Sequence, residues 1–366
     1  DMISMARPFL ADPDLMKKAQ DNKAEEINTC IGCNQACLDH IFKQKTASCL
    51  VNPQACHETF YSEPKTSKKK NVSVIGAGPA GLSAACYAAE LGHHVDLYEA
   101  SGQIGGQFNL ARAVPGKEEF DETIRYFENR LKKAGVNLHL NTPISTQQLQ
   151  ESNPDEIIVA TGVQPRALSL EGANHIKVKP YDEVIQGQHQ IGEKVAVVGA
   201  GGIGFDMCEF LLADRHQPTE EFAAEWGIDM EYQQPGGLMK PNHEASKKSI
   251  YLLQRKATKH GKGLGKTTGW IHRASLKKAG VEMLGGVEYK KVDDQGLHIL
   301  VSGEPRVLAV DDVVVCAGQT SVNQLYEDLK AVRENVHLIG GALLASEIDA
   351  KRAIEEGMKV AYAISE

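Results

Sequence analysis

Apolar positions fall into short continuous runs separated by glycine-rich or polar breaks, the pattern of buried parallel strands alternating with helices. The fullest unit begins at Asn71. Residues 72–75 read as a strand, a glycine-rich turn follows, residues 82–91 read as a helix, and a second strand closes at Glu99. The string KVAVVGAGGIGFDMCEFLL repeats this unit, with Gly199 lying 123 residues after Gly76. A repeat of that length is a duplicated domain rather than a solenoid. Residues 157–162 are another apolar strand, ending in Thr-Gly, and SIYLLQ (249–254) supplies the second unit's next strand. Residues 214–248 are polar, carry Pro218, Pro235, Gly236, Gly237 and Pro241, and read as a surface insertion. Residues 336–364 read as a strand, a glycine turn and a long amphipathic helix.

The beginning follows another pattern. Residues 2–5 predict an apolar strand and residues 12–24 a polar-capped helix, as at the end of a larger domain that starts outside this sequence. A cysteine-rich stretch (29–56) and a polar linker (62–70) follow.

At 366 residues the chain has room for two or three domains, and its 42% hydrophobic and 24% charged residues suit a globular protein. The net charge of -8 argues against nucleic-acid or membrane-surface partners. No run approaches the roughly 20 apolar residues of a membrane span, and no secretory signal leads the chain. The basic run at 65–70 is short and interrupted, so it reads as solvated linker. Four of the eight cysteines fall between 30 and 49. In a chain this large, such clustering points to metal ligands in a cytoplasmic protein rather than to disulfides.

Three candidate sites follow. Gly76, Gly78, Pro79, Ala80 and Gly81 form a GxGxxG turn between strand and helix, and Glu99 lies 18 residues past Gly81. Glycine gives the tight turn, close backbone approach and helix packing, the helix N-terminus faces a diphosphate, and the acid takes ribose hydroxyls. The bland alternative is a glycine turn in an unliganded sheet. Gly105, Gly106 and Gln107 follow the second strand where backbone and an amide meet a flavin's chain, and Gly162 returns the chain past the dinucleotide, so this site is assigned to FAD. The second turn, Gly199, Gly201 and Gly204, is followed by a strand ending Gln254-Arg255-Lys256. Two cations where NAD enzymes carry an acid favour the 2′-phosphate of NADPH over a merely solvated strand end. Lys262 and Lys266 add charge nearby. Finally, Cys30, Cys33, Cys37 and Cys49 have the spacing x2, x3, x11, which suits a [4Fe–4S] cluster better than zinc, whose loops show two close pairs or a histidine. Cys56, Cys86, Cys208 and Cys316 read as plain buried thiols, and His40 and His57 as hydrogen-bonded structural residues.

The strings CIGCNQACLDHIF, CLVNP, GAGPAGL, GGQFN, GGIGFD, LLQRKATK and GLGKTTGWIHR together resemble the iron–sulfur flavoprotein family of bacterial NADPH-dependent 2,4-dienoyl-CoA reductase, trimethylamine dehydrogenase and 2-enoate reductase. The second-domain strings resemble the dienoyl-CoA enzyme in particular. The resemblance covers essentially the whole chain. It implies an N-terminal (β/α)8 barrel holding FMN and the acyl-CoA substrate, then the cluster, then FAD and NADPH domains, acting in unsaturated fatty-acid oxidation. DMISMARPFLADPDL resembles the barrel's end, with Ala6 and Arg7 against the FMN phosphate. The family's Tyr and His proton donors have no counterpart here, so no catalytic residue is assigned. Related flavoproteins often carry Gly-Asp after the last strand; this chain has Gly340-Gly341, leaving backbone N–H groups of a helix starting near Glu347 to face the flavin. The expected architecture is α/β. A barrel remnant (1–28) and a cluster loop (29–65) precede two doubly wound dinucleotide-binding domains. The NADPH domain (166–321) is inserted in the FAD domain (66–165 and 322–366). Rival readings are an amine dehydrogenase of the same family, a zinc- and nucleotide-binding protein without catalysis, and a disulfide reductase.

Overall fold

The computed structural model describes residues 2–61, 66–212, 217–242, 246–346 and 349–366. Helices α1 (Arg7–Ala11), α2 (Leu15–Gln20) and α3 (Leu38–Ile41) precede β1 (Asn71–Ile75), α4 (Pro79–Glu90), β2 (His94–Tyr98), α5 (Phe108–Ala111), α6 (Phe120–Ala134), β3 (Asn137–His139), α7 (Thr146–Ser152) and β4 (Glu156–Val159). Then come β5 (Val163–Pro165), β6 (Val178–Pro180), α8 (Tyr181–Ile185), β7 (Lys194–Val198), α9 (Gly202–Leu212), α10 (Thr219–Trp226), β8 (Ser249–Leu253), α11 (Gly269–Lys278) and β9 (Glu282–Leu284). The rest is β10 (Val287–Asp293), β11 (Gly296–Val301), β12 (Glu304–Leu308), β13 (Asp312–Val315), β14 (Gln319–Ser321), α12 (Gln324–Lys330), β15 (Val336–Leu338) and α13 (Ala350–Ala363).

The chain forms two compact units. One comprises Asp1–Arg112, Glu118–Gln164 and Gly318–Glu366; the other comprises Ala113–Lys117 and Pro165–Ala317. The first contains a parallel sheet of order β15-β4-β1-β2-β3, the second a parallel sheet of order β6-β13-β7-β8-β9 and an antiparallel sheet β10-β11-β12. Central strands are buried and mostly apolar because parallel sheets are covered on both faces: the last four residues of β1 and β7, and all of β4 and β13, are buried, with Ser73, Glu156 and Asp312 the polar exceptions. Both units are therefore the doubly wound α/β dinucleotide fold expected from the sequence.

In the first unit α4 is nearly all buried and rich in small residues, which lets α13 pack against it closely. A Cβ on Gly357 would lie 2.3 Å from the Ala80 carbonyl oxygen and 2.8 Å from the Ala84 nitrogen. Ser83 Oγ donates to the Ile354 carbonyl at 2.7 Å across the same contact. Arg130 of α6 closes the other side of α4, with Nε and Nη2 2.7 and 2.6 Å from the two Glu90 oxygens and its guanidinium 4.1 Å from the Tyr87 ring centre.

Several expectations are corrected. Residues 2–5 form no strand: Met2 and Ile3 are 93% and 83% exposed, and no described neighbour supplies the ladder a strand needs. The helix predicted over 12–24 is present but shortened to α2, with α1 ending just before it; between them the Asp12 carboxylate turns inward and accepts from Asp14 N at 3.0 Å, Asn28 N at 2.8 Å and Lys18 Nζ at 2.6 Å. The insertion carries α10, and the final helix starts at Ala350, where the Asp349 carboxylate accepts from Lys351 N. Glu347, residues 62–65 of the linker, and residues 213–216 and 243–245 lie outside the described residues.

Gly357→Ala forces a methyl group onto backbone atoms that cannot swing aside. Overpacking costs about 1–3 kcal/mol, against the roughly 1 kcal/mol alanine gains in a helix, so the variant unfolds at lower urea. An unchanged midpoint in circular dichroism would show that the α4–α13 contact yields.

Candidate cofactor sites

In the first unit the turn after β1 works by excluding side chains. Gly76 has φ +102°, and a Cβ there would lie 2.5 Å from the Ala160 carbonyl oxygen. One on Gly81 would lie 1.8 Å from the Gly76 carbonyl oxygen, so α4 starts directly on the turn. Nothing lies within 4 Å of a Cβ at Gly78 or Gly162, which leaves a groove in front of the helix N-terminus. Pro79 opens α4, and Ala80 packs beneath Gly340, whose Cβ would lie 2.8 Å from its own. Glu99 is half-buried and faces the turn, its two oxygens accepting from Ala77 N and Ser101 N, each at 2.8 Å. The 105–107 loop folds onto the same place: Gly105 N donates to Ala77 O at 2.8 Å, a Cβ on Gly106 would lie 2.9 Å from Gly78 Cα, and Gln107 directly precedes α5. Gly341 comes in beside Gly162. An open groove lined by glycine backbone, a helix N-terminus and one carboxylate fits a dinucleotide's diphosphate and ribose. One expected contact is otherwise engaged: Gly340 N donates to Glu356 Oε2 at 2.6 Å, while Arg352 donates to the carbonyls of Gly340 and Leu344.

The second unit repeats the turn. A Cβ on Gly199 (φ +113°) would lie 2.4 Å from Cys316 O, and one on Gly204 would lie 1.8 Å from Gly199 O, while Gly201 and Gly202 face open space. Gly76 N donates to Tyr98 O at 2.8 Å and Gly199 N to Leu253 O at 2.9 Å, so Gln254 stands where Glu99 stands in the first unit. Its amide donates to the Thr258 carbonyl and closes the following loop. Arg255 and Lys256 come next, both exposed, with no carboxylate partner among the described residues. Sequence reading missed the polar contacts of α9. Asp206 pairs with Lys117 at 2.6 Å and Glu209 with His272 at 2.6 Å. Burial pushes the Asp206 carboxyl up against the opposing Lys117, and the Glu209 hydrogen bond raises His272.

Cys30, Cys33, Cys37 and Cys49 line one small cavity of about 20 Å³, walled by Leu10, Ile31, Ala36, Leu50 and Val51. Arg7 stands at the same cavity and donates to Asn34 Oδ1 at 2.6 Å, directly after exposed Ala6. Among the described residues no three His, Cys, Asp or Glu side chains form a set able to hold one metal ion; the thiols surround a space instead. Burial pushes the Cys33 thiol up to about 12, with the backbone bond from Gln35 opposing, and raises Cys49 as well. The segment owes its order to distant residues. Asn28 Nδ2 donates to Ala11 O and Val51 O, and Arg125 of α6 donates to the carbonyls of Ala24, Glu25 and Ile27 just before Cys30. No local signal marks Arg125 for this task. His40 and His57 bond to the Thr46 and Ala55 carbonyls. Cys86, Cys208 and Cys316 are buried, but Cys56 is exposed, because its left-handed backbone (φ 64°) turns it out of the wall.

The family model described as pyridine nucleotide-disulphide oxidoreductase matches residues 70–339. A metal reductase of Desulforamulus reducens is 33% identical over 357 residues, covering 94% of this chain and 51% of the relative. A cinnamate reductase of Clostridium sporogenes is 31% identical over 342 residues, covering 93% and 47%. The structure of 2-naphthoyl-CoA reductase in complex with 2-naphthoyl-CoA superimposes with a TM-score of 0.83 at 28% identity, over 98% of this chain and 49% of that one. The chain thus spans about half the length of these relatives. No described helix is long and apolar enough to cross a membrane.

The cavity separates Cys49 from Cys56. If the four lining thiols hold an iron–sulfur cluster, Cys49→Ser lowers iron, acid-labile sulfide and broad visible absorbance in anaerobically purified protein, and Cys56→Ser keeps all three. Stoichiometric zinc without sulfide would make the loop a zinc site.

Proposed function

We propose that this chain, which belongs to the pyridine nucleotide-disulphide oxidoreductase family, is the electron-delivering part of an NADPH-dependent reductase of 2,4-dienoyl-CoA thioesters. The observation that carries the coenzyme assignment is the second turn. It is intact, and Arg255 and Lys256 stand exposed beside it while the ribose-binding acid of the first turn is replaced by Gln254.

Each candidate group has its residues. Backbone of Gly76, Gly78 and Gly81 with the α4 N-terminus would hold the FAD diphosphate, and Glu99 the ribose hydroxyls. Gly199, Gly201 and Gly204 would hold the NADPH diphosphate, and Arg255 and Lys256 its 2′-phosphate. Cys30, Cys33, Cys37 and Cys49 would hold a [4Fe–4S] cluster, with Leu10, Leu50 and Val51 keeping water from the sulfurs. Thiols set around a cavity suit a cluster, in which each sulfur binds a different iron, better than zinc, which draws four ligands to one point. When bound, a flavin links the two-electron chemistry of a nicotinamide to the one-electron chemistry of a cluster. Cluster and FAD residues belong to one unit, so their spacing is built into a single core. FMN, with Ala6 and Arg7 against its phosphate, and the acyl-CoA site belong in this reading to a further domain, within the half of the relatives' length that this chain does not span.

Two of the relatives support reduction of conjugated acids and thioesters by their names: cinnamate for one, 2-naphthoyl-CoA for another. Reduction of a free 2-enoate is the second reading, supported by the cinnamate reductase. An amine dehydrogenase would not need the intact second turn and its cations. Disulfide reduction is not proposed, since Cys30 and Cys33, the chain's one CxxC, share their cavity with two further cysteines.

Two outcomes test the reading. Arg255→Ala with Lys256→Ala raises the KM for NADPH by more than about tenfold, the scale of a lost charge-assisted contact, and leaves NADH nearly unchanged; equal effects on both coenzymes overturn the assignment. In the full-length protein, Cys37→Ser leaves NADPH-driven flavin bleaching intact and abolishes dienoyl-CoA reduction. Normal turnover by that variant in anaerobic rapid mixing would make the cysteine site structural.

A further inference from the structure

We infer that Lys262 is a coenzyme-binding residue that grips the diphosphate, the part common to NADPH and NADH. The inference rests on the reading of the second turn as a nicotinamide-coenzyme site. Its origin is a correspondence between the two units. In each, the first glycine donates to the end of the second strand, as Gly76 does to Tyr98 and Gly199 to Leu253. In each, the loop after that strand folds back and donates a backbone N–H to the residue between the first two glycines. Gly105 N meets Ala77 O at 2.8 Å, and Gly261 N meets Ala200 O at 3.2 Å. The 261–263 segment is therefore the counterpart of the 105–107 loop.

The next residue differs. In the first unit it is Gly106, so close to the turn that a Cβ would lie 2.9 Å from Gly78 Cα. In the second it is Lys262, exposed, with no ion pair among the described residues. The longer hydrogen bond and the open space in front of Gly201 and Gly202 leave room for its side chain over the turn. Its backbone is held in place by its neighbour. Gly261 is buried with φ +64°, a Cβ on it would meet the Phe205 ring at 2.9 Å, and its carbonyl accepts from Arg273 Nη1 at 3.2 Å. With the backbone already fixed, gripping an anion orders only the lysine side chain and not the loop that carries it.

Charge supports the same ligand. From residue 247 to residue 281 the sequence has no Asp or Glu, in a chain whose net charge is -8. A solvated loop needs no such segregation, whereas a site for a polyanion gains attraction from it. The cations divide the ligand between them: Arg255 and Lys256 follow the strand end, where a ribose lies, and Lys262 follows the contact with the glycine turn, where the diphosphate lies.

Titration calorimetry of the whole chain with NADP+, NAD+ and adenosine 2′-monophosphate tests this, the last probe carrying the 2′-phosphate and no diphosphate. Lys262→Met is expected to weaken NADP+ and NAD+ by similar factors of about ten or more, the scale of one charge-assisted contact. It should leave adenosine 2′-monophosphate unchanged, which also shows the site still folded, and Lys262→Arg should recover most of the loss. Loss of NADP+ affinity without loss of NAD+ affinity would move Lys262 to the 2′-phosphate and overturn the inference. Unchanged affinity for both coenzymes would make it a solvated lysine. A wild-type chain that binds neither coenzyme would overturn the underlying reading itself, and this inference with it.

Discussion

The structure depends on backbone passing so close to backbone that no Cβ fits between. At Gly81 against Gly76, and at Gly204 against Gly199, a side chain would lie 1.8 Å from a carbonyl oxygen. Because the helix can start there, its unpaired N–H groups point into open space in front of Gly78 or Gly201. Strand, turn, groove and helix direction are one constraint seen from four sides. The first unit applies it again where Gly357 lets α13 lie against α4, so the helix behind that groove is gripped at its start and along its flank.

The cysteine segment is ordered on a different principle. It has little regular structure, and side chains elsewhere satisfy its backbone. Asp12 and Asn28 tie it to itself, Arg125 ties it to α6, and Leu50 and Val51 extend its wall into the core beneath α4. Buried backbone carbonyls need donors, and a loop without a ladder obtains them from long side chains such as arginine. The four thiols are thereby held around a cavity by the same core that supports the first glycine turn.

The two units show how one scaffold is tuned. Their hydrogen bonds correspond around the turn, but the residue directly after the second strand is Glu99 in one and Gln254 in the other, followed by two cations. The loop that covers the turn is glycine and glutamine in one and lysine-bearing in the other. Exchange of an acid for an amide with adjacent positive charge changes which anion the groove accepts while leaving the backbone alone.

The sequence by itself determined what depends on local geometry. Glycine spacing specifies both turns because a Cβ is excluded within the motif, and runs such as VAVV and EIIV specify buried parallel strands. The tertiary structure alone decided whatever needs a distant partner. Residues 2–5 have strand-like composition, yet among the described residues no neighbour offers a ladder. Asp12 turns inward to Asn28, Gly340 gives its N–H to Glu356, Cys56 turns outward, and Arg125 orders carbonyls about 100 positions away. Spacing grouped Cys30, Cys33, Cys37 and Cys49, but only folding drew them around one cavity. A covalent neighbour constrains a residue through sterics that any reader of the chain can apply, whereas a hydrogen bond across the fold exists only once both partners have been brought together.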